Sequence, residues 1–90
     1  MQISSSSRFK RSFKKLPRHL QDDFESKIKI FIQDPFNPLL RTHKLSGNLD
    51  EHYSFYLRDG FRVLFIFESK DVAILVNLGS HDDYKKWGRG

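Results

Sequence analysis

The sequence predicts an α+β fold, with two helices packed on one face of an antiparallel sheet. Three observations predict it. Apolar residues recur at helical spacing through the first third of the chain and switch to strand spacing after residue 52. Pro17 and the segment 34–38, which holds Pro35 and Pro38, punctuate the helical part. The pair Asp59-Gly60 sits between two apolar runs, where it signals a hairpin.

Residues 2–5 can form a short edge strand. Ser6 or Ser7 then offers an N-cap to a first helix. Phe9, Phe13 and Leu16 mark one side of that helix, and Arg8, Arg11, Lys15 and Arg18 the other. Pro17 ends it and suits the first turn of a second helix. There Leu20, Phe24, Ile28, Phe31 and Ile32 form one apolar stripe. Residues 52–58 alternate, with Tyr53, Phe55 and Leu57 on one side and Ser54, Tyr56 and Arg58 on the other. The run 61–68 is apolar on both faces, as a central strand should be. After a short turn at 69–71, residues 72–78 supply a third strand. No repeat or linker interrupts the pattern, so residues 1–90 are expected to form a single domain with a basic C-terminal tail at 84–90.

Ninety residues leave no room for two domains. A chain this short must use its core efficiently, and nine Phe, three Tyr and one Trp provide large buried areas. With no cysteine, neither disulfides nor a cysteine-ligated zinc is possible, which suits a reducing, cytoplasmic setting. No run of apolar residues is long enough to span a bilayer and the N-terminal stretch lacks a signal-peptide core, so no membrane association is expected.

Sixteen Lys plus Arg against eleven Asp plus Glu give a net charge of +5, which favours a polyanionic partner, nucleic acid or acidic protein. The excess is uneven. Arg8, Lys10, Arg11, Lys14, Lys15 and Arg18 occur with no acid among them, whereas 21–34 is net acidic. Positive charge returns at Arg41 and Lys44, and again at Lys85, Lys86 and Arg89. A basic first helix and a basic tail could flank one site.

Three segments carry polar residues that the fold alone does not require: 42–47, 58–62 and 79–84. Cleaving RNA needs a base to take the 2′-hydroxyl proton, an acid to protonate the departing 5′-oxygen, and cations to stabilise charge on phosphorus. Imidazole suits proton transfer near neutral pH, and guanidinium holds phosphate oxygens bidentately. His81, His43 and Arg62 could supply this set, with Arg58 and Tyr84 nearby. Arg62 could instead cover the sheet edge with its stem, and Tyr84 and Trp87 could simply pack the tail onto the sheet. His19 and His52 read as surface residues. Asp82 and Asp83 are adjacent and diverge, so no metal site is expected.

The order FK..FKKLP (9–17), HKLSG (43–47), YSFYLRDGFRVLFIF (53–67) and LVNLGSHDDY (75–84) resembles the RelE/ParE superfamily of bacterial toxins, in particular its RelE/StbE and YafQ-like branch. The resemblance implies a βααβββ chain with the helices on one face of the sheet and a concave active surface on the other. It also implies an endoribonuclease of a type II toxin–antitoxin system that cleaves mRNA, often on the ribosome. No cofactor is implied, and a cognate antitoxin is the implied protein partner. The family's functional histidines fall on His43 and His81, its G-[FY]-R arginine on Arg62, and its C-terminal aromatic on Tyr84. Around them, Arg58, Lys44, Arg8, Arg11, Lys15, Lys85 and Lys86 are the candidates for holding RNA phosphates.

The sequence also departs from the family. The two strand lysines of RelE-type enzymes fall on Ser54 and Tyr56, and Gly60 stands where YafQ-like proteins have an acid. Charge stabilisation would then fall to Arg58, Arg62 and the basic tail. The missing lysines keep a second function open, that of a ParE-like inhibitor of DNA gyrase without nuclease activity. Two hairpins are compatible with the sequence. A two-residue Asp59-Gly60 turn would put Arg62 beside Phe55 and Leu57. A three-residue loop, 58–60, with Gly60 left-handed, would put Arg62 on the face of Tyr56, and this is the one the resemblance requires.

Overall fold

A computed structural model describes residues 1–47 and 51–87. The chain begins with β1 (Gln2–Ser5) and continues through α1 (Ser7–Lys14) and α2 (Arg18–Gln33). A short 3₁₀ turn at Pro38–Leu40 leads into β2 (His43–Lys44), followed by β3 (Tyr53–Tyr56), β4 (Arg62–Ser69), β5 (Val72–Gly79) and α3 (His81–Trp87). The sheet order is β1-β5-β4-β3-β2.

The α+β architecture and the edge position of β1 match the expectation, but the sheet is mixed rather than wholly antiparallel. β1 runs parallel to β5, a pairing that needs a long connection, which the intervening helices and strands provide. The two-residue β2 adds an antiparallel edge beside β3. Its length gives no alternation for a sequence pattern to display.

Ser6 is the N-cap of α1, its Oγ accepting from Phe9 N at 3.0 Å. Pro17 directly precedes α2, at its cap position. Phe9 and Phe13 of α1 meet Phe24 of α2 at ring centroids of 5.4 and 5.3 Å. Phe31 lies 5.1 Å from Phe55 and 4.9 Å from Phe65, joining α2 to the middle of the sheet. Leu20, Phe24, Ile28 and Phe31 are buried as the stripe predicts, whereas Ile32 is 38% exposed. The stripe is wide, and only its centre faces the sheet.

Between Leu64 and Phe65 of β4 the partners on β5 jump from Asn77 to Leu75, so Val76 is an extra, bulged residue. Two serines of the N-terminal region fasten to this bulge. Ser6 Oγ donates to Val76 O at 2.7 Å, and Ser12 Oγ donates to Asn77 Oδ1 at 2.9 Å. Ser6, in the serine run, is therefore both a cap and a docking residue, and with Ser12 it sets α1 against β5.

The expected tail begins as a helix. Tyr84, Lys85, Lys86 and Trp87 belong to α3, which starts at His81, and residues 88–90, Arg89 among them, lie outside the described residues. Ser80 and Asp83 cap it reciprocally: Asp83 Oδ2 accepts from Ser80 N at 3.0 Å, and Ser80 Oγ accepts from Asp83 N at 3.2 Å. No helix among the described residues is long and apolar enough to cross a membrane.

Phe31 is fully buried between helix and sheet. Phe31→Ala should therefore destabilise the fold by about 3–5 kcal/mol, measured as a lower midpoint of urea unfolding.

Candidate active site

The hairpin decides which side chains meet. Its loop is the three-residue turn Arg58–Gly60, with Asp59 at φ 59° and Gly60 at φ 76°, both left-handed. Glycine adopts that conformation freely and aspartate tolerates it. Leu57 N donates to Phe61 O at 2.7 Å across the loop, and Tyr56 pairs with Arg62. Directly paired residues share a face, so Arg62 stands beside Tyr56, away from Phe55 and Leu57.

Arg62 is only 7% exposed. Its guanidinium carbon lies 4.6 Å from the centroid of Tyr56 and 4.6 Å from that of Tyr84. Arg62 Nε donates to Gly60 O at 3.3 Å. Among the described residues no carboxylate pairs with it. A buried cation is normally paired with an anion, and here two aromatic rings stand in that place, each worth about 0.5–2 kcal/mol.

The histidines extend this stack in both directions. His43 stacks on Tyr56 at a centroid distance of 5.7 Å and 28°, on the sheet face shared with Ser54. His81, the first residue of α3, stacks on Tyr84 at 6.4 Å and 17°. A chain of contacts thus connects His43 through Tyr56, Arg62 and Tyr84 to His81. The two imidazoles are linked through the aromatic–arginine core and do not stack on each other. His43 Nδ1 is 3.2 Å from Arg41 O, a contact that orients the ring.

Arg41 also belongs here, although the sequence marked it only as part of the general positive charge. Its guanidinium carbon sits 4.2 Å from the Tyr56 centroid. Its backbone is left-handed, with φ 52° and ψ 39°, at the end of the 3₁₀ turn. A non-glycine residue there costs about 1–2 kcal/mol, a strain often found at functional sites. The single residue, Thr42, between Arg41 and His43 could have suggested a shared site, but the strain is invisible in sequence.

Other expected phosphate ligands lie elsewhere. Arg58 N donates to Asp23 Oδ2 at 2.9 Å and its Nε lies 3.5 Å from Asp23 Oδ1, on the side of α2. Arg58 therefore does not join the stack. The Asp23 side chain, 9% exposed, also holds Lys27 at 3.1 Å. Lys44 pairs with Tyr53 and so shares the helix-side face, opposite His43. Lys85 and Lys86 are exposed on α3, and Arg11 is exposed on α1. Lys15 lines a pocket of about 380 Å³ with Ser12, Asp83 and Trp87, between α1 and α3. Arg8 lines a smaller cleft on the open face with His52 and Trp87. His19, expected on the surface, is exposed and bonds through Nε2 to Asp59 Oδ2 at 3.0 Å. His52 is half-buried instead, with Nδ1 buried and without a partner among the described residues. Ser54 is fully buried, its hydroxyl unpartnered among the described residues, and it offers no cation where RelE-type enzymes carry a lysine.

No family model matches the sequence, and no curated protein matches it either. Solved structures do match. YafQ from Escherichia coli strain BL21(DE3) superposes with a TM-score of 0.77 at 10% identity, over 91% of this chain and 94% of that one. A YoeB/ParE toxin from Agrobacterium tumefaciens gives 0.76 at 12% identity, over 90% and 99%. The E. coli RelBE toxin–antitoxin complex gives 0.69 at 20% identity, over 88% and 94%. At these identities the likeness shows the fold, which is that of RelE-like toxins.

A Cβ on Gly79 would lie 2.7 Å from Asp83 Oδ2 and 2.8 Å from Asp83 Cβ. Gly79→Ala should therefore push on the α3 cap. The expected cost is about 1–3 kcal/mol, read by thermal unfolding, with the Tyr84 ring signals in NMR shifted from their stacked positions.

Proposed function

We propose that this chain is the toxin of a type II toxin–antitoxin pair and acts as a metal-independent endoribonuclease on mRNA. The observation that carries this reading is the buried guanidinium of Arg62, held between Tyr56 and Tyr84 without a carboxylate among the described residues. Such a group is already desolvated and positioned, and its missing partner is an anion. A phosphodiester supplies one, with oxygens that a guanidinium can take bidentately.

The chemistry follows from the flanking groups. One imidazole takes the proton of a ribose 2′-hydroxyl, whose oxygen bonds to the adjacent phosphorus. The bond from phosphorus to the 5′-oxygen breaks, and the other imidazole protonates that oxygen. The products are a 2′,3′-cyclic phosphate and a free 5′-hydroxyl. Arg62, with Arg41 across the Tyr56 ring, stabilises the charge that builds on the phosphoryl oxygens, in the place of the lysines replaced by Ser54 and Tyr56. Tyr84 holds Arg62 and connects it to His81. Arg8, Arg11, Lys15, Lys85 and Lys86 supply a basic surround that attracts RNA or a ribosome. The protein partner is a cognate antitoxin, whose acidic or amphipathic segment covers the open sheet face and neutralises Arg62 or α1. The setting is the cytoplasm.

Purified protein should cut mRNA, with or without ribosomes, in the presence of EDTA and leave cyclic or 3′-phosphate ends. Arg62→Ala and His81→Ala should each slow cleavage by about 10²–10⁴-fold with the fold intact by circular dichroism. Normal cutting by His81→Ala would remove it from the chemistry. Inhibition of gyrase supercoiling by a protein that leaves RNA intact would favour the ParE-like alternative, which the lost lysines keep open.

Arg41→Gly separates strain from charge. Glycine relieves the left-handed backbone, so thermal stability should hold or rise by up to about 1 kcal/mol, while cleavage falls at least tenfold. Full activity in this variant would show that Arg41 takes no part.

A further inference from the structure

Beside the arginine stack lies a second feature, a cleft of about 130 Å³ lined by Arg8, His52, Leu64, Val76, Asn77 and Trp87. We propose that it is a subsite for one nucleobase of the RNA, shaped for a pyrimidine; this rests on the ribonuclease reading of the neighbouring stack.

Position is the first reason. Leu64 follows Arg62 by two residues on the same face of β4, a displacement of roughly 7 Å along the strand. Trp87 follows Tyr84 by one helical turn, and their rings meet edge to face at 5.9 Å. The cleft therefore continues the stack by one step along both β4 and α3. A base attached to a nucleotide whose phosphate rests on Arg62 would arrive there.

Size is the second. A cavity of about 150 Å³ accommodates one benzene ring. At 130 Å³ the cleft suits a single planar ring, and a fused two-ring purine would project beyond it. Its floor, Leu64 and Val76, is apolar, and Trp87 supplies an aromatic surface of the type on which bases stack.

Polarity is the third. Asn77 Oδ1 accepts from Leu78 N at 2.9 Å and from Ser12 Oγ at 2.9 Å. The Leu78 N–H can only donate, so the amide oxygen must face it and the orientation of Asn77 is fixed. Both hydrogens of its NH₂ are then left over, and among the described residues no acceptor takes them. Arg8 adds further donors. A rim of donors around an apolar floor matches the carbonyl oxygen that cytosine and uracil share at C2. His52 also lines this cleft, and its Nδ1 is buried with no partner among the described residues, an anomaly that calls for an explanation in native structures.

Trp87 is the only tryptophan in the chain, so its emission reports on the cleft directly. The test titrates the full-length protein with cytidine, uridine, adenosine and guanosine 3′-monophosphates, which have no internucleotide bond to cleave. Saturable quenching is expected with the two pyrimidine nucleotides, at least tenfold tighter than with the purines. Calorimetry should show cytidine 3′-monophosphate binding weakened roughly ten- to a hundredfold by Trp87→Leu and largely restored in Trp87→Phe. Arg62→Ala should weaken all four nucleotides alike. Purines binding as tightly as pyrimidines would overturn the proposal. So would Arg62-dependent binding that leaves the emission unchanged and survives Trp87→Leu, and that result would leave the ribonuclease reading standing. If wild-type protein binds no nucleotide and cuts no RNA, the ribonuclease reading fails and the subsite fails with it.

Discussion

A guanidinium withdrawn from water without a carboxylate beside it is costly, and the arrangement around Arg62 answers that cost. Tyr56 reaches it from β3 and Tyr84 from α3, one ring at 4.6 Å and the other at the same distance. The π faces offset part of the lost hydration while leaving the charge uncancelled. An arginine fixed in place with no carboxylate partner among the described residues is a poor contributor to stability and a good receptor for an anion. The rest of the open face is organised around it. His43 and Arg41 reach it through Tyr56, and His81 through Tyr84.

Two irregularities of the sheet bring these groups together. The three-residue loop with Asp59 and Gly60 left-handed sets the register of β3 against β4. A slip of one residue would turn Arg62 towards the helices. The bulge at Val76 does comparable work on β5, because it exposes the carbonyl that Ser6 binds and seats Asn77 against Ser12. Through these bonds α1 is anchored to the sheet, with Arg8 brought to the cleft beside Trp87. The backbone irregularities are therefore next to the polar side chains, as is common where sheets carry sites.

Charge is sorted between the two faces. Asp23 of α2 gathers Lys27 and Arg58, and Asp59 bonds to His19, so the arginine of the hairpin loop is tied to an acid on α2. Among the described residues Arg41 and Arg62 meet aromatic faces instead of acids, and Arg8, on the same side, lines the cleft. This division separates ion pairs that tie the hairpin to α2 from cations left available for a ligand. Net positive charge by itself could not have told these groups apart.

Much of this protein was determined by its sequence alone. The helical periodicity of 9–32, the alternation of 52–58 and the proline breaks fix the α+β class, because burial of an apolar face depends on spacing that can be read directly. Gly60 made a left-handed loop available, and His43, Arg62, His81 and Tyr84 were recognisable as candidates from their motifs. Tertiary structure decided the rest. The sequence allowed two hairpins, and only packing selected the one that pairs Tyr56 with Arg62. Arg58 and Arg41 are both arginines in polar turns, yet one is held by Asp23 and the other stacks on Tyr56. The parallel pairing of β1, the helical start of the expected tail and the meeting of Arg8 with Trp87 also join segments distant in the chain. Local spacing specifies which face a residue occupies; which distant partner it meets is settled only when the elements pack.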